Sequence, residues 1–204
     1  MKRRTFLGGA MAVAVIGQGS IARAQQAPIK IGMSMPQTGG LAGGGKASLL
    51  GIEIWRDDIN AKGGLLGRKV ELVVYDDKSS ASETPAIYAK LVDVDKVDLL
   101  MGPYATGAIL SAMGVAQRYD KVLVHHTLGV PSLAKYERAF PAWSLGADPG
   151  TTVPNTLFEA LAAGPKPPKT IAVVTSKFPS IQFMSAGARE VAKKRGLEEV
   201  LFLE

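Results

Sequence analysis

The sequence has no cysteine and two histidines, and these shortages exclude several kinds of functional site. Without cysteine, the chain can form no disulfide, no zinc–thiolate site and no thiol nucleophile. The histidines, His125 and His126, are adjacent. Neighbours in a strand point to opposite faces of a sheet, so we expect structural roles for them rather than joint chelation of one ion. No serine stands in a Gly-x-Ser-x-Gly elbow, and the sequence therefore predicts no catalytic centre, no metal site and no cofactor.

The sequence also lacks, near its start, an apolar run long enough to span a bilayer. Residues 6–17 are apolar, a basic segment precedes them, and residues 22–24 have the small-x-small form of a cleavage site. This pattern predicts a signal peptide over residues 1–24, cleaved near Ala24, and a mature protein free in the periplasm. Residues 3–7 (RRTFL) also resemble a twin-arginine signal, and an ordinary secretory signal that contains two arginines is the alternative.

The basic charge of the chain comes largely from this first segment. Four of its side chains account for four of the net +6 charges, so the mature chain carries a net charge of +2: Lys2, Arg3, Arg4 and Arg23. No stripe of lysine and arginine with interleaved aromatic residues is present. The sequence therefore predicts no nucleic-acid partner.

The rest of the chain alternates strand and helix patterns, which predicts an α/β fold with a doubly wound parallel sheet. We expect strands at 28–34, 69–75, 97–101, 121–125, 140–145, 170–175 and 199–203, and helices at 46–61, 83–94, 106–118, 151–163 and 180–195. We interpret Asp76-Asp77 as a solvated turn. A domain crossing is expected near Gly146, which gives a first lobe over 28–145 and the start of a second over 146–204. Two strands and two helices make a small core, so we expect the second lobe to be incomplete.

The junction between the third strand and the next helix has the features of an anion site. Apolar residues end at Gly102-Pro103, and small residues with one hydroxyl, that of Thr106, begin the helix. Ligands of doubly wound sheets bind outside the carboxyl ends of the strands. Helix N-termini present free N–H groups and a partial positive charge, which favours an anion here. The alternative is that Thr106 only caps its own helix.

Three segments carry a resemblance to a known family. They are residues 59–77 (INAKGGLLGRKVELVVYDD), residues 102–104 (GPY) at a strand end, and residues 171–174 (IAVV). Together they resemble the leucine/isoleucine/valine-type periplasmic binding proteins of ABC transporters, over residues 29–204. The resemblance implies a type I periplasmic-binding-protein fold, in which two hinged, doubly wound lobes hold the ligand in the cleft between them. Complete members of this family are longer than this chain.

The same resemblance implies a function and a first contact region. It implies an extracytoplasmic substrate-binding component of an ABC importer, with permease subunits as partners. The ligands expected are branched-chain amino acids or related amino-acid, carboxylate or amide solutes. The family segment that binds the ligand α-carboxylate falls here on Tyr104, Ala105 and Thr106.

A second contact region falls on residues 127–130, after the fourth strand, and makes Leu128, Gly129 and Val130 candidate contacts. The family often has a small residue and a hydroxyl in this region, near the ligand amine and carboxylate. Leu128 and Val130 depart from that pattern, which weakens the case for direct polar contacts at these two positions.

A third contact, an aromatic side chain that packs on the ligand, falls on Phe178 or Phe183; ordinary packing is the alternative for either. The glycines at 43–45 lie where relatives often carry an aromatic wall. We therefore expect open space there, which either accepts a ligand bulkier than valine or is closed by residues of the second lobe that this chain does not include.

Two other classes of protein share parts of the pattern. Residues 40–46 (GLAGGGK) follow a strand and precede a helix, as a phosphate-binding loop does, but Ala47 stands where that motif needs serine or threonine for the metal ion. The export signal also directs the chain away from ATP. A receptor or sensor domain of the same fold is the remaining alternative, and the sequence separates it from a transport protein only weakly.

Overall fold

The computed structural model describes residues 27–142 and 148–204. The predicted signal peptide and the predicted crossing near Gly146 lie outside the described residues. None of the helices within the described ranges is both long and apolar enough to cross a membrane.

Strands and helices alternate through both described ranges, as the sequence predicts. In chain order they are β1 (Ile29–Met35), α1 (Ala42–Ala61), β2 (Val70–Asp76), α2 (Thr84–Asp93), β3 (Leu99–Met101), α3 (Thr106–Arg118), β4 (Leu123–His125), a 3₁₀ turn (Pro131–Leu133), β5 (Ala139–Pro141), α4 (Pro149–Ala162), β6 (Thr170–Val174), α5 (Pro179–Lys194) and β7 (Glu198–Leu203).

The first five strands form one parallel sheet in the order β2-β1-β3-β4-β5. The chain runs outward from β1 to β2, then crosses back over β1 to β3 and continues in the other direction. This reversal is the topological switch point of a doubly wound sheet, and it opens a crevice at the carboxyl ends of β1 and β3. The predicted parallel α/β sheet is confirmed, and the crevice lies where the sequence analysis expects a ligand.

Apolar layers cover both faces of this sheet. On one face Leu49 and Ile52 of α1 pack against buried side chains of β1 such as Met33. On the other face α2 and α3 bury a larger cluster that includes Leu91 and Ile109, both fully inaccessible. Burial of one such side chain contributes about 1.5–3 kcal/mol to stability. The two layers fix the strands, and with them the loops at their carboxyl ends.

Helix α1 begins earlier than the sequence predicts, at Ala42 instead of residue 46. Residues 43–45 therefore lie in the first turns of a helix and not in a loop, and the Gly45 N–H donates to the Leu41 carbonyl. In a phosphate-binding loop the glycines precede the helix and wrap around the anion. The early start of α1 therefore counts against the phosphate-loop alternative.

The remaining elements form a smaller second unit. Strands β6 and β7 pair in parallel as a separate two-stranded sheet. Helices α4 and α5 pack on each other, and Phe158, Val191 and Ala192 form the buried cluster beneath them. The first unit, residues 27–142, and the second unit, residues 148–204, thus have separate sheets and separate apolar clusters.

Candidate functional site

The loop between β3 and α3 ends in a residue with a strained backbone. Ala105 has φ 77° and ψ 146°, a combination that residues other than glycine rarely adopt and that costs on the order of 1–3 kcal/mol. Its N–H donates to Thr127 Oγ1 over 2.9 Å. Its carbonyl accepts the first hydrogen bond of α3, from the Ile109 N–H. Both backbone groups of Ala105 are therefore engaged, and the strained conformation is held in place.

Thr106 is the first residue of α3, and its side chain is buried. Its Oγ1 accepts a hydrogen bond from the Gly129 N–H over 3.3 Å, so the hydroxyl proton remains available as a donor. Ala105 occupies the N-cap position, and no side chain caps the helix. The alternative in which Thr106 only caps its own helix is therefore wrong.

The first turn of α3 borders a recess of about 110 Å³, which we call the polar recess. Because the first intrahelical bond comes from the Ile109 N–H, the N–H groups of Thr106, Gly107 and Ala108 have no acceptor within the helix. The first residues of α5, including Ser180, line the same recess from the second unit. Two helix N-termini, each with a partial positive charge, thus border one small space.

A larger cavity of about 420 Å³ adjoins the polar recess, and we call it the apolar chamber. Both units line it, and most of its surface is apolar. The lining residues are Leu41, Tyr104, Ala105, Thr127 and Gly129 from the first unit, and Val153, Phe178, Ser180, Ile181 and Met184 from the second. The chamber and the recess share several wall residues, so they form one continuous cleft. A depression of the same volume between α4, β6 and α5 is lined by the second unit alone.

The ring of Tyr104 occupies the space above a glycine of α1. A Cβ atom added to Gly44 would lie 2.5 Å from Tyr104 Cζ, closer than real Cβ contacts. Gly44 therefore makes room for the ring, which lines both the recess and the chamber. The expectation of open space at 43–45 is wrong at this position, because Tyr104 supplies the aromatic surface from a different strand end.

The predicted contact residues fall into two groups: those that line the cleft and those that do not. Tyr104, Ala105 and Phe178 line both spaces, Thr106 lines the recess, and Gly129 lines the chamber. A Cβ added to Gly129 would lie 2.8 Å from Ser180 Cβ, so glycine permits the two units to approach each other here.

Leu128, Val130 and Phe183 are not in either wall. Leu128 and Val130 are buried, and Leu128 belongs to the core cluster beneath α2 and α3. The ring of Phe183 lies against Gly150, between α4 and α5. The structure thus corrects the expectation for Leu128 and Val130, because their apolar side chains serve the core on either side of a glycine that borders the cleft.

The sequence analysis missed most of the chamber wall. Its unanticipated members are Leu41, Val153, Ser180, Ile181 and Met184, and Thr127 was included only as part of a range. The hydroxyl of Thr127 gave a usable signal, since it follows a strand end. The apolar members carry no signal of their own, because an exposed leucine or methionine on a helix has the same local pattern as a buried one.

Hydrogen bonds from a neighbouring loop fix the position of Leu41. The Leu41 N–H donates to Ser79 Oγ over 3.0 Å, and that hydroxyl donates to the Thr38 carbonyl over 2.7 Å. Asp76 accepts from the Thr38 hydroxyl at 2.7 Å and from the backbone N–H groups of Gln37, Thr38 and Lys78. These hydrogen bonds lower the pKa of Asp76 to about 2, and the bond from the Thr38 hydroxyl has the largest effect. The loop that carries Leu41 is therefore held against the cleft.

Asp77 is buried beside this loop, so the predicted solvated turn is wrong for this residue. Its Oδ2 accepts from Ser34 Oγ over 2.8 Å and its Oδ1 from the Ser79 N–H over 3.1 Å. Burial raises the pKa of this carboxyl group despite the two hydrogen bonds. Both carboxylate oxygens are thus engaged within the first unit, although the residue borders the polar recess.

The two histidines lie outside both walls of the cleft. His125 is buried at the end of β4, and burial lowers the pKa of both His125 and His126. Their ring nitrogens have no hydrogen-bond partner among the residues that the structure describes. In the same part of the chain, no three histidine or acidic side chains come together as metal ligands would.

Comparison with known proteins decides the family. The family model for periplasmic binding proteins matches residues 28–202. The chain belongs to the periplasmic binding protein family. An amino acid binding protein of Pseudomonas aeruginosa is 28% identical over 207 residues, covering 99% of this chain and 53% of that protein. The Leu/Ile/Val-binding protein of Escherichia coli K12 is 24% identical over 204 residues, with the same coverage. The chain spans about half the length of the curated relatives it matches.

Solved structures of similar proteins confirm the type I periplasmic-binding-protein fold. The branched-chain amino acid transporter substrate binding protein LivJ of Streptococcus pneumoniae, in complex with isoleucine, has a TM-score of 0.73 and 27% identity, covering 86% of this chain and 49% of that one. A solute binding protein of Rhodopseudomonas palustris, in complex with 3,4-dihydroxy benzoic acid, also has a TM-score of 0.73, at 23% identity over 87% of this chain and 47% of that one. The relatives are named as binding proteins and not as enzymes.

Proposed function

We propose that this chain is the extracytoplasmic substrate-binding component of an ABC importer, and that it captures a small carboxylate-bearing solute between its two units. The solute class comprises amino acids and related acids or amides, as the named relatives and structural neighbours support. Residues 28–145 act as the first lobe and residues 146–204 as part of the second. The protein acts in the periplasm after cleavage near Ala24, and its partners are permease subunits.

The observation that carries this proposal is the pair of helix N-termini at the polar recess. The N–H groups of Thr106 and Gly107 are free of the α3 ladder, and α5 begins on the opposite side. A carboxylate bound there gains hydrogen bonds and favourable dipoles without a cationic side chain beside it. The buried hydroxyl of Thr106 supplies a further donor.

The same geometry supports an order of events as part of this proposal. The ligand docks on the wall of the first unit, whose loops are already fixed by hydrogen bonds. The second unit then closes over it by a hinge motion and brings Phe178 and Ser180 to the ligand. The closed form is the species that the permease recognises.

Calorimetric titration of the natural full-length protein tests this function. A bound carboxylic acid is expected to lose at least about tenfold in affinity as its methyl ester, because the ester has no charge for the helix N-termini. Thr106→Val should weaken the acid by about 1–3 kcal/mol through loss of the hydroxyl donor. Thr156→Val, an exposed threonine of α4 outside the cleft, is the control. Equal binding of acid and ester would contradict the proposal.

A further inference from the structure

We propose that Gly129 is a positioning residue that determines how far the second unit closes over the first. Its missing side chain lets the start of α5 reach the polar recess, so that two helix N-termini border one ligand. This inference rests on the proposed function, because it assigns a role in hinge closure. It follows from the contact between Gly129 and Ser180 and from the bonds that hold each of them in place.

Gly129 and Ser180 meet where the two units approach each other. A Cβ added to Gly129 would lie 2.8 Å from Ser180 Cβ, whereas ordinary contacts of a Cβ lie at 3.4–4 Å. The three heavy atoms nearest to that added Cβ are the Cβ, Cα and Oγ atoms of Ser180. A methyl group at position 129 therefore meets the second unit before it meets anything else.

The backbone of Gly129 does not itself require glycine. Its φ lies outside the left-handed region, so alanine fits the backbone at this position. Replacing glycine by alanine at such a position reduces the freedom of the unfolded chain and by itself favours folding. The feature of the structure that calls for glycine is thus the contact with Ser180 and not the turn.

Retreat of Gly129 from this contact would disturb the wall of the first unit. Its N–H donates to Thr106 Oγ1 over 3.3 Å. The side chains on either side of it, Leu128 and Val130, are buried. The loop is therefore anchored around the glycine, and it moves only together with residues that form the recess or the core.

Ser180 is equally fixed, because it lies in the first turn of α5. The Ile181 and Gln182 N–H groups both donate to the Phe178 carbonyl over 3.0 Å. The Cβ of Ser180 is attached directly to this backbone, so rotation of the side chain does not move it. A methyl group at position 129 must therefore separate the two units.

The cost of this separation falls on the bound carboxylate. The favourable effect of a helix N-terminus on an anion is confined to the first turn of the helix. A wider gap moves the N-terminus of α5 away from the recess, while the N-terminus of α3 stays in place. Glycine at position 129 thus keeps both N-termini within reach of the same anion.

Spin-label distance measurements on the natural full-length protein test this inference. Asp57→Cys on α1 and Thr156→Cys on α4 place labels at exposed positions of the two units. The separation is measured without ligand and with saturating L-isoleucine or 3,4-dihydroxybenzoate. We expect the parent to populate the separation seen in this structure. Gly129→Ala should lower the ratio of this closed form to more open forms at least about fivefold, as overpacking does.

Two substitutions of Ser180 show whether the effect is steric. In the Gly129→Ala background, Ser180→Gly removes the opposing Cβ and leaves the Cα at 3.8 Å, an ordinary contact. The closed form should then return to within about twofold of its level in Ser180→Gly alone. Ser180→Ala also deletes the hydroxyl but keeps the Cβ, so it should not restore closure.

Gly114→Ala is the matched control for the added methyl group. Gly114 is exposed on α3, and a Cβ added there has no heavy atom within 4 Å, so this variant should keep the closed-to-open ratio of the parent. Rescue by Ser180→Gly also excludes a folding defect in Gly129→Ala, because a change in the second unit would not repair the first.

Three results overturn the inference: a Gly129→Ala variant that closes as the parent does, equal effects of the two Ser180 substitutions in that background, and a parent without the closed form under any of these conditions. The proposed function is judged separately by the acid and its methyl ester. Equal binding of those two would reject that function even where Ser180→Gly restores closure.

Discussion

The two walls of the cleft are built differently. In the first unit, hydrogen bonds tie three wall residues to their neighbours: Ala105 to Thr127, Thr106 to Gly129, and Leu41 to Ser79. The second unit contributes mainly apolar side chains from α4 and α5, such as Ile181. Fixed donors set the position of a charged group, whereas apolar side chains supply contact area and tolerate repacking. Under the proposed function, we therefore expect the first wall to determine where the carboxylate lies and the second to determine how much of the ligand is covered.

The largest effect is expected when one methyl group is added to the first wall, which tests whether this wall is as rigid as the comparison requires. Gly44→Ala would place a Cβ 2.5 Å from Tyr104 Cζ and force the ring to move. Overpacking of this kind costs about 1–3 kcal/mol, and we expect it to appear as weaker ligand binding in calorimetry.

The matched control lies one residue earlier. A Cβ on Gly43 has no heavy atom within 4 Å, so Gly43→Ala should leave affinity unchanged and raise the melting temperature slightly through helix propensity. If both variants bind as the parent does, Tyr104 is not a fixed part of the wall.

A smaller effect is expected when one tether of the first wall is removed. Ser79→Ala deletes the hydroxyl that accepts from the Leu41 N–H, and loss of one such bond costs about 1 kcal/mol. We expect roughly a fivefold loss of affinity, measured by titration with the carboxylic acid that the parent protein binds most tightly. Ser82→Ala, at an exposed position of the same segment, should bind as the parent does. A loss in the Ser82 variant as large as that in the Ser79 variant would show that the hydrogen bond between Leu41 and Ser79 has no specific effect on ligand affinity.

Acidification is expected to loosen the first unit before the second, because both histidines belong to the first unit. Burial lowers the pKa of His125 and His126 in the folded chain. The stability is therefore complete above the unfolded pKa of about 6.5 and falls as the pH drops below it. Asp76, with a pKa of about 2, adds a loss only below about pH 4, and Asp77, whose pKa is raised, acts in the opposite direction.

Hydrogen exchange between pH 7.5 and 5.5, corrected for intrinsic rates, measures this effect. Amides of the first unit should lose protection while those of the second unit change little. A double variant, His125→Gln with His126→Gln, should show a shallower dependence on pH. Loss of protection in the second unit first would contradict the assignment of the effect to these two side chains.

The parts of the fold that could be predicted are those set by local pattern. Strand alternation predicted the parallel sheet, and the small residues after Pro103 predicted a helix start at Thr106, where α3 begins. The position of the cleft followed, because parallel strands end at a common edge.

The rest depends on contacts between residues far apart in the chain. Gly44 and Tyr104 are 60 positions apart, and nothing local in either segment indicates that one makes room for the other. Asp77 has the local pattern of a turn, but Ser34 from a neighbouring strand draws it into the interior. Gly129 borders the cleft while its neighbours Leu128 and Val130 are buried, and the local sequence does not indicate which side of this loop is packed.

A crystal structure of the full-length protein with a bound carboxylic acid tests the central claim most directly. We predict carboxylate oxygens within hydrogen-bond distance of the Thr106 hydroxyl and of N–H groups in the first turn of α3, with the rest of the ligand in the apolar chamber. A carboxylate bound away from both helix N-termini, or a ligand outside the cleft, would contradict the account.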